Sequence, residues 1–150
     1  MDLAGIALSL DNSTRWNSWF TLLTTAIKKR VALNEFCLRH PKALLDDLLL
    51  PEDWETLQFT EEFLQPFWQA TMVQQSNWST LNQTLYNMDI LFKHFKQGKE
   101  KYASNQHLLN SIHMGWYIMA KYYQQTDSNP VYATALLLHP IKRRRYLEVH

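Results

Sequence analysis

Apolar residues recur every three or four positions over four long stretches, which is the spacing of amphipathic α-helices. The first stretch runs from about 14 to 39 and ends at His40-Pro41, because the residue before a proline is pushed out of the α region. Its apolar face comprises Trp16, Trp19, Phe20, Leu23, Ile27, Val31 and Phe36. The second stretch, from about 52 to 75, contains Pro66, which removes a backbone hydrogen bond and predicts a kink or two consecutive helices.

The third stretch is predicted to begin after Ser79, as N-cap, and to end at Gly98, as C-cap. A fourth helix is predicted from about 103 to 124, and the "TDSNP" turn after it precedes a short helix over 131–138. The pattern predicts an all-α fold, namely a bundle of about four long amphipathic helices plus short C-terminal helices. We expect one helical domain over residues 1–150, with residues 1–10 poorly ordered.

Composition agrees with a globular protein and limits the function classes. The chain of 150 residues is 46% hydrophobic and 19% charged, and its net charge of +1 gives no global field for nucleic acid or membranes. Cys37 is the single cysteine, which favours a reducing compartment. No stretch reaches the roughly 20 apolar residues of a membrane span, and the first ten residues do not resemble a signal peptide. We therefore expect an intracellular protein, and a chain that ends within "HPIKRRRYLEVH" suggests a piece of a longer one.

Catalytic motifs are weak. Adjacent carboxylate pairs, such as Glu52-Asp53, point about 100° apart on a helix, so capping and solvation explain them better than a shared site. His107 and His113 miss the i, i+4 spacing of a metal pair, and His139 precedes a proline at a predicted helix end. The sequence predicts no catalytic residue and no cofactor in this chain. A small metalloenzyme would need clustered ligands that the spacing does not offer.

Two basic runs could contact phosphates. The first is Lys28, Lys29 and Arg30, and the second is Lys142, Arg143, Arg144 and Arg145, beside Tyr146. Such runs supply the salt-dependent part of nucleic-acid affinity, but they are also ordinary solvated helix faces, which is the commoner case for either run alone.

The segment "DNSTRWNSWF", residues 11–20, permits two interpretations. It could be a capped helix start whose tryptophans belong to the core. Alternatively, Arg15 contacts a phosphate while Trp16 stacks on an unpaired base at the helix N-terminus.

This segment resembles the D-x-x-T-R-W-N-S segment of hAT-superfamily transposases, the hobo/Activator group of cut-and-paste elements. Three further blocks follow in the family's order. They are "PEDWETLQFTEEFLQPFWQAT", similar to E-W-x-x-L…L-x-P-F-x-x-A-T, "WSTLNQTLYNMDILFKHF", similar to S-T-L…Y-x-x-L, and "YATALLLHPIKRRRYLE", similar to Y-A-x-A-x-x-L-H-P-x-x-x-x-x-Y. The resemblance covers most of residues 11–148.

The resemblance implies that the chain matches the all-α insertion domain that interrupts the RNase H-like core of these transposases. It implies a divalent metal held by two Asp and one Glu of the parent core, all outside this chain. It also implies a nuclear location, a homo-oligomeric parent and transposon-end DNA as partner. The family's R-W tryptophan, which stabilises a flipped base, corresponds to Trp16, beside Arg15. The rival hypothesis is a structural or protein-interaction helical module without nucleic-acid binding.

Overall fold

Seven α-helices and no β-strand are found in the computed structural model, which describes residues 16–76, 80–140 and 143. The helices are α1 (Trp16–Lys28), α2 (Arg30–Arg39), α3 (Pro41–Leu44), α4 (Pro51–Gln74), α5 (Leu81–Lys101), α6 (Gln106–Asp127) and α7 (Pro130–Leu138). The all-α prediction is confirmed. The expectations for residues 1–10 and for Ser79 lie outside the described residues.

The first predicted helix is divided at Lys29. The amide of Lys29 donates to the carbonyls of both Thr25 (3.0 Å) and Ala26 (3.1 Å), so the backbone tightens before α2 begins. The prediction of a single helix over about 14–39 was therefore wrong. No proline or glycine marks the division in the sequence. The predicted stop at His40-Pro41 is confirmed, because α2 ends at Arg39 and Pro41 begins α3.

α4 runs through Pro66 as one continuous helix, so the alternative of two consecutive helices is wrong. Its N-terminus is capped as the acidic residues there suggested. The carboxylate of Asp53 accepts a hydrogen bond of 2.8 Å from the amide of Leu50, one of the groups that a helix start leaves unpaired.

α5 extends one turn beyond its predicted end. Thr80 precedes it in an extended conformation, with φ −132° and ψ 150°. Gly98 is buried within the helix, and its carbonyl accepts from the amide of Tyr102 at 3.0 Å. The prediction of Gly98 as C-cap was wrong because the core reaches further, to Tyr102, whose side chain is 5% exposed.

The last two helices begin at asparagine caps. The Asn105 side chain accepts from the amide of Leu108 at 3.0 Å, and that of Asn129 accepts from the amide of Val131 at 3.1 Å. α6 continues to Asp127, into the predicted "TDSNP" turn, and α7 begins at Pro130, a favoured first helical residue.

The described residues form two compact units that divide after Trp68, within α4. In the first unit the buried side chains are Phe20, Leu23, Trp54 and Phe63. In the second they are Leu85, Phe95, Tyr102, Leu108, Ile112 and Leu136. The assignment of residues 1–150 to a single domain stays a prediction.

In the second unit, α5 packs against α6 and α7. Phe92 lies 4.0 Å from Trp116 between ring centroids, and the hydroxyl of Tyr123 donates to Asp89 at 2.6 Å. Contacts therefore move towards the N-terminus of α6 as they move towards the C-terminus of α5, so the two helices are antiparallel. Leu136 of α7 is 1% exposed and completes this core.

Candidate nucleic-acid interface

Trp16 is the first residue of α1, and its side chain is 39% exposed. Its ring centroid lies 6.1 Å from that of Phe20, one turn along the helix, at a tilt of 59°. Phe20 is itself buried and stacks on Trp68 of α4 at 5.8 Å. The indole of Trp16 is therefore supported from the inside and open to solvent over more than a third of its surface.

The two tryptophans of the segment differ from Phe20 in their burial. Trp19 is 40% exposed, so the interpretation that assigns Trp16, Trp19 and Phe20 alike to the core holds for Phe20 alone. Arg15, the predicted phosphate contact beside Trp16, lies outside the described residues. Trp16 and Trp19 therefore offer two indoles of nearly equal exposure on one helix.

The first basic run does not present three equivalent cations. Lys28 is exposed at the end of α1, whereas Lys29 and Arg30 are half-buried. The guanidinium of Arg30 lies 5.6 Å above the centre of the Trp54 ring, a cation–π geometry with a tryptophan that is 2% exposed. Arg30 therefore helps to cover the core of the first unit.

Only Arg143 of the second basic run falls within the described residues. It is exposed, and its amide donates to the carbonyl of His139 at 3.0 Å. Lys142, Arg144 and Arg145 lie outside the described part of the chain. Their assignment as phosphate contacts stays a prediction.

A third basic group, on α5, was missed by the sequence analysis. Lys93, Lys96 and Lys99 are spaced three residues apart, and two of them lie over aromatic rings. The ammonium of Lys99 is 4.0 Å from the centre of the Trp116 ring, and that of Lys96 is 5.5 Å from the centre of Phe92. The spacing of Phe92 and Lys96, four residues apart on one helix, could have indicated their contact. The contact of Lys99 with Trp116 could not be predicted in this way, because Trp116 belongs to α6.

The histidines and carboxylates considered as possible metal ligands do not cluster in the described residues. His107 and His113 are both exposed on α6, and among the described residues no three His, Cys, Asp or Glu side chains come together as a metal site would require. No helix in the described ranges is long and apolar enough to cross a membrane.

Comparison with known proteins finds a similarity that covers most of the chain. The chain is 26% identical over 133 residues, 87% of its length, to a Talaromyces stipitatus protein named "Putative transcriptional regulator tpeD". The aligned region is 14% of that protein, so the chain spans a small part of its relative. No family model matches the chain. No solved structure matches it either.

Proposed function

We propose that this chain is the helical insertion-domain portion of a hAT-type DNA transposase, or of a domesticated or decayed relative, and that it contacts DNA ends through Trp16. In this role the chain is not catalytic. The parent's metal-binding carboxylates belong to its RNase H-like core, and the chain supports that core and holds DNA beside it.

The observation that carries the proposal is the exposure of Trp16 at the start of α1. A helix N-terminus favours anions, so a phosphate can lie beside an indole that is free to stack on its nucleobase. Phe20, which itself stacks on Trp68, contacts one side of the indole and lowers the cost of ordering it against a base. Arg15, the preceding residue, supplies a cation for the phosphate.

The similarity to a protein named as a transcriptional regulator is compatible with a domesticated relative. A regulator derived from a transposase can keep the DNA-contacting segments after transposition is lost. The activity, nuclear location and oligomeric state of the full-length parent are part of this proposal.

The test uses a DNA hairpin end with an unpaired 2-aminopurine, whose fluorescence is quenched when an indole stacks on it. Stacking contributes about 1–3 kcal/mol per base, so Trp16→Ala should weaken binding to this end by about 5-fold to 150-fold. Trp19→Ala is the matched control, because Trp19 is equally exposed on the same helix. A fully paired duplex should bind the two variants and the unsubstituted chain with equal affinity. Equal losses for the two variants on the unpaired end would contradict the role of Trp16.

A second candidate function is a protein-interaction module without nucleic-acid binding, and a surface of α6 favours it. Met114, Tyr117, Ile118 and Tyr122 share one side of this helix and are 54% to 75% exposed. Under this alternative, DNA binding is absent or insensitive to salt between 50 and 200 mM. Tyr117→Ser with Ile118→Ser would then abolish capture of a protein partner.

A further inference from the structure

The α5 lysine strip, defined as Lys93, Lys96 and Lys99, winds along α5, because residues three positions apart point about 60° apart around a helix. Lys93 and Lys96 are exposed and Lys99 is half-buried. At 1.5 Å per residue the strip is about 9 Å long. It lies in the second unit, whereas Trp16 lies in the first, so it is a separate feature from the exposed tryptophan.

The aromatic rings beneath two of these lysines matter for their chemistry. A carboxylate partner would cancel the charge of an ammonium, but a ring attracts the ammonium and leaves its positive charge in place. Within the described residues none of the three lysines forms an ion pair, even though Glu100 follows Lys96 by one helical turn. Asp89, one helical turn before Lys93, accepts the hydroxyl of Tyr123 instead.

The rings also restrict the long side chains. Holding Lys99 at 4.0 Å and Lys96 at 5.5 Å from ring centres lowers the conformational entropy that an anionic ligand would otherwise have to remove on binding. The result is a row of charged groups that is partly ordered before any ligand arrives.

We infer that the α5 lysine strip binds the phosphate backbone of DNA as a second contact, independent of Trp16. One DNA strand carries a phosphate about every 3.4 Å along the axis, so a strip about 9 Å long faces two or three phosphates. A ligand with regularly repeated anionic groups fits this spacing better than a protein carboxylate does. The inference rests on the proposed function for its choice of DNA, but it uses different residues.

The experiment measures DNA affinity of the full 150-residue chain at several salt concentrations, on a fully paired duplex that needs no base stacking. The variant is Lys96→Gln with Lys99→Gln. The control removes the same charge with Lys42→Gln and Lys121→Gln, two exposed lysines. Lys121 is five residues beyond Trp116 and therefore points about 140° away from it around α6.

Each phosphate contact contributes about 0.9 to the slope of log K against log salt, so the strip variant should lower that slope by about 2. When salt is raised from 50 to 200 mM, the DNA affinity of the unsubstituted chain should therefore fall by a factor about 12 times larger than the factor for the strip variant. The control variant should keep the slope of log K against log salt that the unsubstituted chain has.

The outcomes separate this inference from the proposed function. If 2-aminopurine quenching depends on Trp16 and the salt slope of the strip variant is unchanged, the inference about the strip is wrong and the proposed function stands. A reduced slope without any effect of Trp16→Ala supports the strip and contradicts the base contact. Absence of DNA binding overturns both. Binding of the strip to phosphatidylserine vesicles in preference to DNA overturns the inference about the strip and leaves the proposed function standing.

Discussion

The phenol of Tyr123 on α6 donates a 2.6 Å hydrogen bond to the carboxylate of Asp89 on α5, 34 residues earlier in the chain. It joins two helices that also share ring contacts, including Phe92 on Tyr123 at 5.0 Å between centroids. Because both groups are partly buried, the bond fixes the register of the pair as well as adding to its stability.

Tyr123→Phe should destabilise the protein by about 1–2 kcal/mol, because it keeps the ring and removes the donor from a partly buried carboxylate. Thermal unfolding followed by circular dichroism should show a midpoint lowered by about 2–8 °C. Tyr122→Phe provides the control, since that neighbouring side chain is 56% exposed, and it should change stability by less than about 0.5 kcal/mol. Equal effects of the two substitutions would show that the bond to Asp89 contributes nothing measurable.

Gly115→Ala should destabilise α6 packing despite improving helix propensity. A Cβ at this position would lie 3.0 Å from Cε1 and 3.2 Å from Cζ of Phe95, a buried ring. Overpacking costs about 1–3 kcal/mol, which outweighs a propensity gain of at most about 1 kcal/mol.

Phe95→Leu separates these two effects in a double-mutant cycle by urea denaturation. If the clash dominates, adding Gly115→Ala to Phe95→Leu should cost less than adding it to the parent chain. A more stable Gly115→Ala protein in the parent background would contradict the close approach of the two helices.

Two leucines of α7 provide a matched test of how that helix packs. Leu136 is 1% exposed and Leu138 is 77% exposed, although they are two residues apart. Leu136→Ala should lower the free energy of unfolding by about 2–5 kcal/mol, whereas Leu138→Ala should stay within about 0.5 kcal/mol of the parent. Similar losses at both positions would argue against the docking of α7 on α5.

Trp16→Ala should leave the fold intact, which makes it usable in the DNA-binding test. Its indole is 39% exposed and contacts Phe20, so its removal should cost about 1–2 kcal/mol, less than removal of a buried ring. Phe20→Ala removes a side chain that is 5% exposed and stacked on Trp68, and it should cost about 3–5 kcal/mol. Denaturant unfolding measures both values, and a loss at Trp16 as large as that at Phe20 would identify Trp16 as a core residue.

The candidate site was only partly predictable. Trp16 is 39% exposed at the start of α1, and its role as a DNA contact stays a prediction; the apolar spacing assigned Trp16 and Trp19 to the same face. Helical periodicity places Trp16, Trp19 and Phe20 on one side without indicating how far a neighbouring helix extends over them. Phe20 is buried because Trp68, nearly fifty residues later, stacks on it. The pairing of Lys99 with Trp116 likewise depends on how α5 and α6 meet.

The sequence by itself determined the helical class, the position of most helices and several of their ends, because spacing of apolar residues, proline and asparagine caps act within a few residues. His40-Pro41 and Asn129-Pro130 are local stops and starts of this kind. Tertiary structure decided the division at Lys29, the extension of α5 beyond Gly98 and the exposure of each tryptophan. Those features depend on which distant side chains meet, and contacts between α5, α6 and α7 form only when the chain folds back on itself.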